Sequence, residues 1–183
     1  MYIYLIALQT ENGWAVSEVN SDVPGGFSET ESLPRIVSKY FHDKTFFGNV
    51  GESLLKAFLQ LLPNKGRIAF VYATSYSDDR QVMLYLSQIF KNGGFECVLI
   101  APDHLRWDNN KVYSIAIDQK GVIDGIVRFF PIEWMRYLPE SSGWKNFFST
   151  KIPSCNHPVS ILTQSKRLPL VWKNLNLNLN SWE

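Results

Sequence analysis

The sequence is poor in the residues that simple catalytic and metal-binding signatures need. It has two cysteines and three histidines. His42, His104 and His157 stand at no metal-ligand spacing to one another or to Cys97 and Cys155, so a zinc site is not expected. No Gly-x-Ser-x-Gly elbow and no P-loop occur, and no glycine fingerprint follows the strand-like run that ends at Tyr72. Charge of one sign is missing as well. Lys and Arg number 18 against 17 Asp and Glu, for a formal net charge of +1, and no basic stripe offers a nucleic-acid surface. No apolar run approaches the ~20 residues that a spanning helix needs, so no membrane partner is expected.

Two cysteines far apart in a chain of this length suit a reducing compartment. Cys97 sits inside Phe95-Glu96-Cys97-Val98-Leu99-Ile100 and reads as a small buried hydrophobe. Cys155 and His157 are close in sequence, but a thiol dyad needs a third, orienting group that the loop does not supply. Met1–Leu8 is apolar, yet it lacks a basic leader and passes into Gln9-Thr10-Glu11-Asn12-Gly13. It is not read as a signal peptide, and a cytoplasmic location is expected.

What remains is a globular composition. Apolar residues make up 45% and aromatic residues 14% of 183 residues, which excludes a disordered chain and suits one domain over 1–183 that needs no staple. Residues 1–8 and 14–19 predict a hairpin around Asn12-Gly13. Residues 29–41 have a helical phase with Pro34 in the first turn. Glu52 to Leu62 predicts a second helix through Leu54, Leu55, Phe58, Leu61 and Leu62, and Phe46-Phe47 before it are expected to dock on the core. The best-defined unit is Arg67–Tyr72, a helix from about Asp79 to Lys91 capped by Ser77 or Asp78, and Phe95–Ala101. Strand, helix and strand in so short a span predict a parallel βαβ crossover.

Further strands are expected over Lys111–Asp118 and Val122–Phe130, then a short helix from Ile132. Glu133 there is either functional or an early-turn acid that the helix dipole favours. Ser75, Ser77 and Asp79 either bind a polar ligand or cap the helix. Arg128 pairs with Glu133 or a substrate acid, or serves as a structural ion pair. A last helix is expected from Ser165 to Trp172, and the alternating tail 174–180 has a strand-like pattern. The fold class predicted is α/β: a mainly parallel, Rossmann-like sheet with helices on its faces, plus a small antiparallel hairpin portion.

The most informative stretch is Ser17–Glu29, where acids, an amide, hydroxyls and Pro24-Gly25-Gly26 share one strand exit. Alternation along a strand puts Glu18 and Asn20 on the same side, roughly 6–7 Å apart. A carboxylate beside an amide carbonyl suits Mg²⁺ that a nucleotide's phosphates also hold. The same residues also serve ordinary turns, with Glu18 a solvated acid.

Glu18-x-Asn20-x-Asp22 resembles the acidic strand-end motif of the glutathionylspermidine synthase family, ATP-grasp ligases. Arg128-Phe129-Phe130-Pro131-Ile132-Glu133-Trp134 is similar to the family's aromatic Pro-x-Glu-Trp block. Asn156–Trp172 resembles the stretch in which a lysine, here Lys166, precedes a Leu-Pro-Leu-x-Trp helix start. The resemblance covers most of the chain. It implies the pre-ATP-grasp portion of an ATP-dependent carboxylate–amine ligase, in which a carboxylate becomes an acyl phosphate and an amine attacks it.

By that resemblance ATP and Mg²⁺ are the cofactors, Glu18 and Asn20 the metal ligands, and Lys166 an ATP contact. Ser21 and Asp22 would lie beside a thiol-peptide pocket, and the partners would be a thiol peptide and an amine. No residue is assigned as catalytic. The family's Arg-x-Asp on the preceding strand, a phosphoryl-stabilising arginine and a further metal ligand, falls at Tyr4-Leu5-Ile6, which can do neither job. Family members continue into nucleotide-binding and lid segments beyond the position of Glu183. A portion of a larger ligase, inactive alone, is therefore expected, with the remaining segments encoded downstream or supplied by another chain, and a homo-oligomer is open. The competing expectation is a noncatalytic α/β binding module that kept the fold and lost the chemistry.

Overall fold

The computed structural model of the chain describes residues 3–43, 48–108, 110–172 and 174. It opens with the expected hairpin: β1 (Tyr4–Thr10) and β2 (Gly13–Asn20) pair antiparallel. Gly13 takes φ +105° in the turn, a left-handed conformation that costs glycine nothing. Beyond β2 the chain turns through Pro24-Gly25-Gly26, with Gly26 again left-handed, into α1 (Phe27–Val37). This helix starts before the expected residue 29, so Pro34 lies in its interior and not in its first turn. A proline there removes one backbone N–H from the ladder. Helix α2 (Val50–Leu61) is capped by Asn49, whose side chain accepts the Glu52 N–H. Phe46 and Phe47, expected to dock on the core, lie outside the described residues.

The βαβ unit is present: β3 (Arg67–Tyr72), α3 (Ser77–Asn92) and β4 (Glu96–Ile100), with β3 and β4 parallel in the register Ile68 to Cys97. The expected cap is corrected. Tyr76 occupies the cap position with no side-chain bond, and Ser77 is already helical, its hydroxyl turned to Asp78. Helix α3 ends at Gly93, as expected, and Gly94 takes φ +89°.

Next come β5 (Leu105–Asp108), β6 (Lys111–Ser114), β7 (Gly121–Ile123) and β8 (Gly125–Phe129). The expected strand Val122–Phe130 is thus two strands broken at Asp124. One half pairs antiparallel with β6, and the other enters the parallel sheet beside β3. The Asp124 carboxylate accepts the Arg67 N–H at 2.8 Å, and its own N–H donates to the Arg67 carbonyl. This local clamp explains the break. Gly125 follows, where a Cβ would meet Ile68 Cδ1 at 2.7 Å and Phe58 Cε1 at 3.0 Å, so a larger residue would force these core side chains to shift.

The main sheet has four parallel strands in the order β4-β3-β8-β9, where β9 is Ser154–Cys155. Alternation along β3 feeds two cores. Ile68, Phe70 and Tyr72 face Leu54 and Phe58 of α2 and Met83, Leu86 and Phe90 of α3. Ala69 and Val71 face the other way, toward Leu105, Val112 and Ile123 of the small antiparallel sheet, with Met135 and Phe147. Short helices α4 (Ile132–Met135), α5 (Ile161–Gln164) and α6 (Leu168–Trp172) complete the chain's order. The tail expected to be strand-like lies mostly outside the described residues. The architecture is the α/β fold that the sequence predicts. Among the described residues, no helix is long and apolar enough to cross a membrane.

Candidate functional site

The last two turns of the β2 pleat carry the candidate metal ligands. Glu18 and Asn20 are two residues apart on β2, so they share one face of the hairpin. The register sets Ile6 against Glu18 and Tyr4 against Asn20, and it slips between Ile6 and Ala7. Ala7 pairs with Val16, so Ser17 is the extra residue of a bulge, and its hydroxyl donates to the Ile6 carbonyl. Bulges re-aim the side chains that follow them.

Glu18 is exposed, whereas Asn20 is half-buried. The amide oxygen of Asn20 is buried and, among the described residues, accepts no hydrogen bond. An acceptor left in that state costs about 1–3 kcal/mol, which a ligand would recover. Lys166, just past α5, reaches toward the same place: its ammonium lies 3.8 Å from Glu18 Oε2. With side chains 84% and 47% exposed, that pair is loose and contributes little to stability. The lysine is not consumed by an internal partner.

Ser21 and Asp22 are placed differently, at 0% and 1% exposure. The Ser21 hydroxyl donates to the Ser160 carbonyl at 2.7 Å and lies 2.6 Å from the Thr163 hydroxyl. Asn156 Nδ2 donates to the Ser21 carbonyl at 2.7 Å. Asp22 Oδ1 accepts from Arg128 Nη2 at 2.5 Å, and Oδ2 accepts the Ile132 N–H at 2.9 Å. Arg128 also donates to the carbonyls of Phe130, Asn156 and Asp22, at 2.6 Å, 3.1–3.3 Å and 3.5 Å. Ser21 and Asp22 therefore face inward and spend their side chains on the domain's own groups.

Of the readings open for Arg128, the structural ion pair is the one present; its partner is Asp22 and not Glu133, which stands exposed on α4. Strand end, β8 and the start of α4 are thus tied at one point. Asn156, Ser160, Thr163 and Gln164 were missed as members of this cluster. Each is an ordinary polar residue in sequence, and only the return of the chain beside β2 brings them there.

Among the described residues, no group of three or more His, Cys, Asp or Glu side chains is arranged to hold a metal. Glu18 and Asn20 offer two hard oxygens, and the position opposite Glu18 is hydrocarbon, Ile6. Two protein oxygens fit Mg²⁺ that keeps waters and phosphate oxygens for its other positions. A small cleft elsewhere, between Trp107, Lys111, Asn146 and Thr150, contains none of these residues.

Comparison with known families gives the decisive observation: residues 7–177 match the glutathionylspermidine synthase pre-ATP-grasp family. The chain belongs to that family. No curated protein sequence matches it significantly. The glutathionylspermidine synthase match takes in Glu18, Asn20, Ser21, Asp22 and Lys166, and it begins one residue after Tyr4-Leu5-Ile6.

Proposed function

We propose that this chain is the substrate-, Mg²⁺- and ATP-binding portion of an ATP-dependent carboxylate–amine ligase resembling glutathionylspermidine synthase. The observation that carries the reading is the orphaned amide oxygen of Asn20, on the same strand face as a Glu18 carboxylate that Lys166 approaches to 3.8 Å. In this reading Glu18 and Asn20 hold Mg²⁺, and the Lys166 ammonium contacts the ATP phosphates. The metal, when bound, offsets charge on the phosphate oxygens. Lysine suits the contact because its compact charge on a flexible stem follows a moving anion. A thiol peptide and an amine are the substrates assigned, with Ser21 and Asp22 adjoining the thiol-peptide position as the residues that fix the strand end.

A second reading rests on the pairing of Glu18 with Ile6. A carboxylate at that position would complete a three-acceptor metal site; an isoleucine weakens it and favours a noncatalytic binding module. Calorimetric titration of the purified chain with Mg²⁺ and a nonhydrolysable ATP analogue tests both. The ligase reading expects Mg²⁺-dependent nucleotide binding that Glu18→Gln and Lys166→Ala each weaken by about tenfold or more, the loss expected for one charge-assisted contact. Binding that ignores both substitutions would sink it.

A further inference from the structure

We infer that Gln164 is a positioning residue: its side-chain carbonyl sets the distance between the Glu18–Asn20 strand end and Lys166. The inference rests on reading those three residues as the site. Strand β1 begins at Tyr4, opposite Asn20, so among the described residues the backbone of β2 has no strand partner beyond Asn20. Ser21 and Asp22 nevertheless run on into the interior, where their N–H groups need acceptors. The Oε1 of Gln164 takes both, at 3.3 Å from Ser21 N and 3.1 Å from Asp22 N. One carbonyl oxygen has two lone pairs, so two consecutive amides satisfy it.

Gln164 is the last residue of α5, and Lys166 follows two residues later. The same short segment therefore grips the strand immediately past Asn20 and delivers the ammonium to Glu18. Its other end is fixed independently. The Thr163 hydroxyl donates to the Ser160 carbonyl, and Ile161 packs against the core. A two-stranded ribbon is marginal by itself. This one exposes Leu5, Leu8, Trp14 and Val16, so its placement depends on how its end is held. Gln164 supplies the backbone part of that hold nearest Lys166, beside the Ser21 hydroxyl on the Ser160 carbonyl.

Zero-length carbodiimide coupling reads this geometry without any ligand, because it joins a carboxylate to an amine only when the two meet. The full chain is treated with carbodiimide, and the Glu18–Lys166 cross-linked peptide is quantified by mass spectrometry. The wild type is expected to form it. Gln164→Leu removes the acceptor and is expected to lose the cross-link while far-UV circular dichroism is unchanged. Gln164→Glu keeps an acceptor of the same length and is expected to restore it. Gln164→Asn, one methylene shorter, is the milder variant should Gln164→Leu not fold, and it too is expected to lose the cross-link. Wild-type yield in a folded Gln164→Leu or Gln164→Asn protein, or no cross-link in the wild type, overturns the inference. Added Mg²⁺ and ATP should protect Glu18 and Lys166 from coupling. Absence of protection with the Gln164 dependence intact would overturn the site reading alone.

Discussion

Asp22 and Arg128 form an ion pair that is closed to water on both sides, with Oδ1 and Nη2 at 2.5 Å and side chains 1% and 0% exposed. Every other contact of the two groups is also internal, from the Ile132 N–H on one carboxylate oxygen to the Phe130 and Asn156 carbonyls on the guanidinium. Satisfaction of this kind is the condition under which a buried pair does not become a liability. It makes the second residue past the candidate metal strand a part of the core.

Breaking that pair on one side should be costly. Arg128→Leu leaves the Asp22 carboxylate buried with a single remaining donor, and a loss of about 3–5 kcal/mol in urea unfolding is expected. Asp22→Leu combined with Arg128→Leu should recover much of it, because no orphan charge is left. Additive losses in the double variant would show that the two residues act separately.

The sequence made the parallel unit legible because β3, α3 and β4 each obey one period over a long enough window, and the glycines Gly93 and Gly94 mark the stop. The Glu18-x-Asn20-x-Asp22 run was equally visible. Its third member was not interpretable from sequence, since an aspartate in a Pro-Gly-Gly exit is the ordinary sign of a solvated turn. Burial against Arg128, 106 residues away, is a tertiary fact with no local trace. The break at Asp124 was hidden for the same reason: the apolar run Val122–Phe130 looks continuous, and only pairing of Asp124 with the Arg67 backbone divides it. Pro34 misled in the opposite direction by suggesting a helix start that lies at Phe27.

The helical side of the core offers a simple stability test. Phe90 of α3 meets Phe58 and Phe70 edge-to-face at 5.3 Å each and Phe95 at 5.7 Å, and it is fully buried. Phe90→Ala should cost about 3–5 kcal/mol, measured as a lower urea midpoint with unchanged slope. A loss under about 1 kcal/mol would mean that the site collapses to fill the space.

Cys97 should be chemically quiet. Burial pushes its thiol up to about 11, from an ordinary 9.0, with the Lys91 charge opposing the shift and Glu96 adding to it. The folded state therefore holds this proton more tightly than the unfolded state does. Its contribution to stability is full below pH 9.0 and is lost as pH rises through about 11. The thiol is half-buried and not fully buried as the sequence suggests, so alkylation at pH 8 should label Cys97 more slowly in the native protein than after unfolding in urea. Equal rates in the two states would contradict the shift.

Turnover of ATP by this chain alone is not expected. Phosphoryl transfer depends on charge positioned around the equatorial oxygens, and loss of an arginine there commonly costs ~10³-fold or more. The register places Tyr4 and Ile6 opposite Asn20 and Glu18, where neither can supply an arginine or a carboxylate. ADP release with ATP, Mg²⁺, glutathione and a polyamine should match the control without protein. Substrate-dependent release abolished by Glu18→Ala would show that other groups replace the missing ones. Ile6→Asp should tighten Mg²⁺ binding by adding an oxygen opposite Glu18, at little cost to stability because Ile6 is exposed.

The most direct test of the site itself uses Mn²⁺ in place of Mg²⁺, since its unpaired electrons broaden nearby NMR signals. In the ¹⁵N-labelled chain with ATP present, substoichiometric Mn²⁺ is expected to erase the Asn20 side-chain amide signal first, with the backbone signals of Glu18 and Lys166 close behind. Glu18→Gln should abolish the effect. Broadening centred on any other surface, or unaltered by Glu18→Gln, would contradict the account.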